Sequence, residues 1–569
     1  MKNPLPKSPQ EVMNWNWEQF APLYAELIER PVNAENVSDW LADWSRVSEW
    51  VDELENRLYV AVTSDTANGI VEAYFINFTR NLYPKAQEAE QTLKKILLES
   101  GLELEGFEIP LRNMRAEAAL FRSSNLPLLA QEKQLGNEYD KIIGAQTVMW
   151  EGEERTIDQM NPVLQHPDRA VREKAWRLTR ERQLADREDI NTLWKEFIPL
   201  RQTLARNADL PDYRAYRWSE LKRFEYTPED CKHFHDAIEE VVVPAAVRIL
   251  ERRRQRLGLD SVRPWDLNVD PYGKTPLRPF QSIDELITKT SAVFHQVAPR
   301  FGEYFDTMSR ENLLDLDNRK NKAPGGYCTG FNAVRKPFIF TNAVGIHDNV
   351  QTLLHEGGHS FHVFESAHLP YLAQLQYSNE IAEVASMSME LLASPYLSTG
   401  DQPFYTPGEA ARARIEHLEE SILFWPYMAV VDAFQHWVYE NPIKGSSSKA
   451  CDEQWSALWD RFMPGEDWSG LEEAKMTGWH RKPHIHQSPF YYVEYGLALL
   501  GAVQVWRNSL TDQKKAINAY RQTLSLAGTR PLTELFQAAG AKLAFDAQTL
   551  GEAVTLMEKT IIELEELVD

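Results

Sequence analysis

The five residues His355-Glu356-Gly357-Gly358-His359 restrict the fold of this chain more than any other stretch. On an α-helix, positions i and i+4 share a face, so both imidazoles reach one metal ion. The glutamate, one position past the first histidine, then stands near enough to take a proton from a metal-bound water, which is the HExxH signature of zinc peptidases. The flanks agree with a helix: Asp348 or Asn349 is a candidate cap, and Val350, Leu353 and Leu354 supply apolar residues ahead of His355. Gly357 and Gly358 work against it, since each glycine inside a helix costs roughly 1 kcal/mol relative to alanine. Something must therefore approach the backbone closely there, either a packed helix or a substrate. Three fixed residues also arise by chance in an exposed helix, so the reading needs support from elsewhere in the chain.

A structural zinc site takes four protein ligands, whereas a catalytic one takes three and keeps a position open. The segment Asn379-Glu380-Ile381-Ala382-Glu383-Val384-Ala385-Ser386 reads as the start of a second helix after a loop broken by Pro370. Glu380, Glu383, Met387 and Glu390 fall on one face of it, at spacings of three and four. Carboxylates on a stripe that also carries Met387 and Leu391 are expensive to bury without a cation. Glu383 is the expected third ligand and Glu380 the reserve, and Glu390 is placed to orient His355 or His359 through a hydrogen bond. The plainer alternative is that Glu380 or Glu390 faces solvent.

A third stretch, His484-Ile485-His486-Gln487-Ser488-Pro489-Phe490-Tyr491-Tyr492-Val493-Glu494-Tyr495-Gly496, gathers histidines and tyrosines. Peptide cleavage passes through a negatively charged tetrahedral intermediate that needs donors besides the metal, and hydroxyls and imidazoles serve. Taken alone, the i, i+4 spacing of Tyr491 and Tyr495 fits a packed core face better than a catalytic one.

Together, HEGGH, Ala382-Glu383-Val384-Ala385-Ser386 and the stretch from His484 to Gly496 resemble the oligoendopeptidase F and thimet oligopeptidase family of zinc metallopeptidases. Ala323-Pro324-Gly325-Gly326-Tyr327-Cys328 and Lys336-Pro337-Phe338-Ile339-Phe340-Thr341-Asn342 add to the likeness. The resemblance covers roughly residues 320–500, in the family's order. It implies a mainly α, two-lobed helical peptidase fold with a deep central channel and a small β-sheet near the zinc helix. It also implies one Zn2+ per chain held by His355, His359 and Glu383, with Glu356 as general base. Tyr491 or Tyr492, with Tyr495, match the tyrosines that stabilise the intermediate. Either His484 or His486 matches the assisting histidine. The Gly-Tyr turn and an edge strand are expected beside the metal, with 338–341 pairing to the backbone of a short unstructured peptide substrate.

The rest of the sequence sets bounds. Its 569 residues, 43% hydrophobic and 11% aromatic, describe a globular chain with a substantial core. A formal net charge of −23 argues against nucleic acid as a general partner. Cys231, Cys328 and Cys451 show no paired spacing, residues 1–10 lack an apolar signal core, and no run is long enough to span a bilayer. A cytoplasmic location and no membrane partner are expected; oligomeric state is left open. Helix dominates. Trp44, Val47, Val51, Leu54 and Leu58 recur at helical spacing, and Thr227-Pro228-Glu229-Asp230 starts a helix expected to run to about Gly258. Strand signals are confined to 145–150, returning at 155–158 after Glu151-Gly152, and to 337–342. A soft division into an N-terminal helical region, 1–200, and a catalytic region, 201–569, is expected.

Two other readings fit the motif. A zinc carboxypeptidase would need a cation for the substrate's terminal carboxylate, for which Arg335 and Arg481 are candidates. A helical interaction protein would carry a vestigial or structural metal site, against which the intact Glu356 and the lack of an obvious fourth ligand both weigh.

Overall fold

The stripe Trp44, Val47, Val51, Leu54 and Leu58 is buried on a single helix, Val37–Ser64, which packs with its neighbours into a core running from Val12 to Met114. A computed structural model describes residues 1–568 of the chain. The chain is helical almost throughout, with one two-stranded hairpin and one three-stranded sheet among the described residues. The hairpin pairs β1 (Thr147–Trp150) with β2 (Glu153–Thr156) in the register Thr147 to Thr156. Glu151 and Gly152 make its turn, both with positive φ, 53° and 87°, the backbone that matches the right-handed strand twist. Thr227 caps its helix as its sequence predicts: the side chain accepts from Asp230 N, and Asp230 reaches back to Thr227 N. The helical path continues through Arg256.

The core of residues 12–114 is separate from the largest core, whose buried residues begin at Leu135. Leu135, Trp194 and Phe197 lie in the largest core together with the long helix Pro407–Glu440 and the helix Tyr492–Thr511. A further core joins the sheet, the helix Ile283–Val297 and the helix His347–Ser366 that carries HEGGH.

Strand order in the sheet is β3 (Leu314–Asp317), β5 (Lys336–Ala343), β4 (Tyr327–Phe331), with β5 in the centre, parallel to β3 and antiparallel to β4. The expected edge strand is therefore misplaced by one strand. Phe338, Ile339 and Phe340 of β5 are buried between neighbours on both sides, so residues 338–341 have no free edge to offer a peptide, and β3 and β4 hold the edges. The sheet still positions the site, because β5 leads directly into the HEGGH helix. Gly345, at φ 86°, turns the chain. Asn349 Oδ1 accepts from Val344 N (2.8 Å) and Ile346 N (3.2 Å). The cap residue is thus Ile346, not Asp348 or Asn349; Asn349 sits one turn in and folds back to satisfy the donors ahead of the helix.

Candidate metal centre and active site

Three helices stack through glycine contacts to build the site. A Cβ on Gly358 would lie 2.5 Å from Ala385 O and 2.6 Å from Ser386 Cα, so the HEGGH helix and the helix Asn379–Ala393 touch backbone to backbone. On the other side, Gly501 of the helix Tyr492–Thr511 leaves room for Val384, where a Cβ would meet Val384 Cγ2 at 2.9 Å. Gly357 makes way for the ring of Phe294. The helix cost of both HEGGH glycines is thus explained by packing partners. Tyr520 Oη donates to Ala385 O (2.7 Å), which fixes the same crossing from below.

This close approach brings Glu383 to the two histidines. Its Oε2 lies 3.4 Å from His355 Nε2 and 3.9 Å from His359 Nε2, and a ligand atom from each of the three falls within 4.8 Å of the others. Two atoms bound to zinc at about 2.0–2.1 Å with tetrahedral angles sit ~3.4 Å apart, so the trio has the spacing that ion needs. Ser386 Oγ donates to Glu383 Oε2 (3.0 Å) and orients the carboxylate. His355 Nδ1 lies 2.6 Å from Glu390 Oε1, which leaves Nε2 free on the side of Glu383 and His359. The other oxygen of Glu390 lies 2.9 Å from His417 Nε2. Burial alone would raise the Glu390 carboxyl, but its two histidine partners pull it down to about 2, so it stays an anion. His417 comes from the long helix Pro407–Glu440; nothing local in the sequence ties it to HEGGH, and only the tertiary fold reveals it. Glu380, the reserve ligand, is turned away and accepts from Tyr226 Oη (2.6 Å).

Glu356 is buried beside the trio, 8% exposed, and burial pushes its carboxyl up to about 7, against the pull of His355. The backbone of Cys328, on the edge strand β4, hydrogen-bonds it.

The stretch 484–495 divides into two groups. His484, Tyr491 and Tyr495 stand together, half-buried: the His484 ring lies 5.9 Å from Tyr491 and 6.1 Å from Tyr495, and the two tyrosines are 5.2 Å apart. Glu383 is among the charges that raise the pKa of both tyrosines, which places them toward the metal ligands. His486 does not join them, and Tyr492 joins by its ring alone, 5.0 Å from His484 and 5.7 Å from Tyr495, with its hydroxyl engaged elsewhere. His486 is 0% exposed, stacked 4.3 Å from the Tyr139 ring among Trp194, Phe197 and Trp479, and its pKa falls to about 3 through burial. Tyr492 Oη accepts from Lys482 Nζ (3.1 Å), and the ring packs on Phe424 and Tyr427. The carboxypeptidase candidates are also engaged: Arg335 pairs with Glu49, and Arg481 donates to Ala474 O (2.9 Å) and Thr477 O.

The sequence pattern of Peptidase family M3 matches residues 163–554, well over half of the chain. This chain belongs to peptidase family M3. The match contains the whole HEGGH, Glu383 and His484–Tyr495 constellation of this M3 chain. Among similar proteins, the oligopeptidase PepF of Bacillus subtilis is 24% identical over 336 residues, 57% of this chain and 47% of its own length. The group B oligopeptidase PepB of Streptococcus agalactiae is 23% identical over 57% of this chain and 53% of its own. The alignments thus span about half the length of these curated relatives. A solved structure of PZ peptidase A with an inhibitor superposes with a TM-score of 0.87 at 26% identity, covering 98% of this chain and 100% of that one. The oligoendopeptidase-F of Enterococcus faecium, at 15% identity and a TM-score of 0.56, covers 97% and 98% and shares the fold.

Proposed function

We propose that this M3 chain is a zinc-dependent endopeptidase acting on internal bonds of short, unstructured peptides. The observation that carries the reading is the Glu383 carboxylate held 3.4 and 3.9 Å from two imidazoles on a neighbouring helix, with Glu356 buried next to them. His355, His359 and Glu383 would hold the ion, and no fourth protein ligand belongs to that set among the described residues. When bound, zinc supplies Lewis acidity toward the scissile carbonyl and lowers the pKa of water. Glu356 takes the proton of the attacking water as it adds to the carbonyl carbon, then delivers it to the amine nitrogen as the C–N bond breaks. His484, Tyr491 and Tyr495 donate to the oxyanion. The substrate backbone pairs with the edge strand β4, whose partner on the other side is β5. Backbone pairing gives affinity with little sequence preference, which suits an enzyme of broad oligopeptide use.

Glu356→Gln separates binding from chemistry: the variant keeps zinc and fold and loses about 10²–10⁴-fold in kcat. Full activity in that variant removes Glu356 from the mechanism.

A further inference from the structure

A second set of metal-ligand side chains lies in the largest core, away from HEGGH. Cys231 and His235 stand one turn apart on the helix Pro228–Ala237, and Asp432 and His436 stand one turn apart on the long helix Pro407–Glu440. The two helices pack against each other, and three of these four side chains bring their donor atoms together, with His235 on the Asp432 carboxylate. Cys231, Asp432 and His436 each offer a ligand atom within 4.8 Å of the others, and all three are buried. His436 Nε2 lies 3.3 Å from Asp432 Oδ2, again near the ~3.4 Å edge of a tetrahedral zinc polyhedron. His235 Nε2 touches the same carboxylate oxygen at 2.9 Å.

Beyond the His235–Asp432 contact, two polar atoms of the cluster are left without partners. Asp432 is 0% exposed, yet its Oδ1 has no hydrogen-bond partner, and His436 Nε2, at 2% exposure, has none of acceptable geometry. A buried carboxylate with an empty lone pair is costly, and a cation removes that cost. Arg214, which also pairs with Glu440, reaches the other ring nitrogen of His436 at 3.4 Å, a contact that must open for Nδ1 to carry the proton when Nε2 binds a metal ion. The charges also close: a thiolate and a carboxylate with two neutral imidazoles balance a divalent ion in a setting walled by Trp218, Phe462 and Phe490.

We propose that Cys231, Asp432 and His436, with His235 as the donor left for the fourth position, form a second, structural zinc site. The thiol of Cys231 gives its proton to solvent on binding. A thiolate with imidazoles selects a borderline-soft ion over magnesium or calcium. With its three donors buried and His235 beside them, the site ties two helices together and does no chemistry. Its second effect is on the loop that carries the active-site tyrosine: the His436 ring packs 5.1 Å from Phe490, whose N donates to Gln435 Oε1 (2.7 Å), and Tyr491 follows directly.

The test is metal analysis of the full chain together with cobalt substitution. Elemental analysis is expected to give two zinc ions per chain in the natural sequence, one in His359→Ala and one in Cys231→Ser. The cobalt form of His359→Ala should show an intense near-ultraviolet thiolate-to-cobalt absorption, lost in Cys231→Ser and in His436→Ala. The band identifies the thiolate without reference to activity, and two variants on different helices guard against one failing to fold. One zinc per chain in the natural sequence, none in His359→Ala and no thiolate band overturn the proposal while leaving the HEGGH site intact. One zinc retained in His359→Ala but unaffected by Cys231→Ser and His436→Ala also overturns it. Two ions with the thiolate band, in a chain that cleaves no peptide, support this site and contradict the endopeptidase reading.

Discussion

At the scale of single residues, the two histidines of the 484–486 loop make opposite predictions. His484 stands with Tyr491 and Tyr495, whereas His486 is stacked in the core with neither ring nitrogen bonded. His484→Phe is expected to lower kcat by about 10²–10³-fold, as loss of an oxyanion donor does, while His486→Phe leaves steady-state kcat near that of the natural chain. His486 is one of several buried histidines that contribute to acid stability instead. Its folded pKa of about 3 lies below the ordinary 6.5, so below pH 6.5 the unfolded chain takes up a proton that the folded chain refuses. Its contribution is complete above about pH 6.5 and is lost as pH falls from there toward 3. His486→Phe should flatten the fall in stability across that window in denaturant titrations, and an unchanged slope would contradict the burial argument. Glu390 holds His355 at Nδ1, so in the proposed zinc site Glu390→Gln should weaken zinc binding about 10–100-fold in a chelator competition, with Glu356 untouched.

At the scale of helices and strands, Gly358 holds the site together. A methyl at that position meets backbone at 2.5 Å, which no side-chain motion relieves, so the HEGGH and Glu383 helices must part. Gly358→Ala is therefore expected to destabilise the chain by about 1–3 kcal/mol, outweighing the ~1 kcal/mol that alanine gains in a helix, and to weaken zinc binding together with it. An alanine variant that is more stable than the natural chain would show that the contact is looser than described. The same elements mark what the sequence reveals and what it hides. Helix spacing alone identified His355, His359 and the Glu383 face, and the Thr227 cap and the Glu151-Gly152 turn were readable from local chemistry. The position of β5 was not, because a strand buried on both edges and an edge strand of similar composition look alike in sequence. His417 was hidden because its partner Glu390 lies on another helix, and the i, i+4 pairs Cys231/His235 and Asp432/His436 were hidden because the sequence does not show that their two helices pack together.

At the scale of the whole molecule, membership of peptidase family M3 and the superposition on PZ peptidase A set the architecture, and the site residues set what it can do. The trio comes from two successive helices, His347–Ser366 and Asn379–Ala393, so zinc bound there would pin them together and should raise the thermal midpoint of the intact chain. Removing metal with a chelator is expected to lower it, reversibly on adding zinc back. The claim on which the rest stands is cleavage at internal bonds by a metal-dependent site. It is tested by mass spectrometry of a short peptide blocked at both termini, incubated with the purified chain, with and without chelator and after zinc is restored. The account predicts internal fragments that vanish with chelator and return with zinc. A blocked peptide that survives while its free-carboxylate twin is trimmed, or cleavage indifferent to chelator, would contradict it.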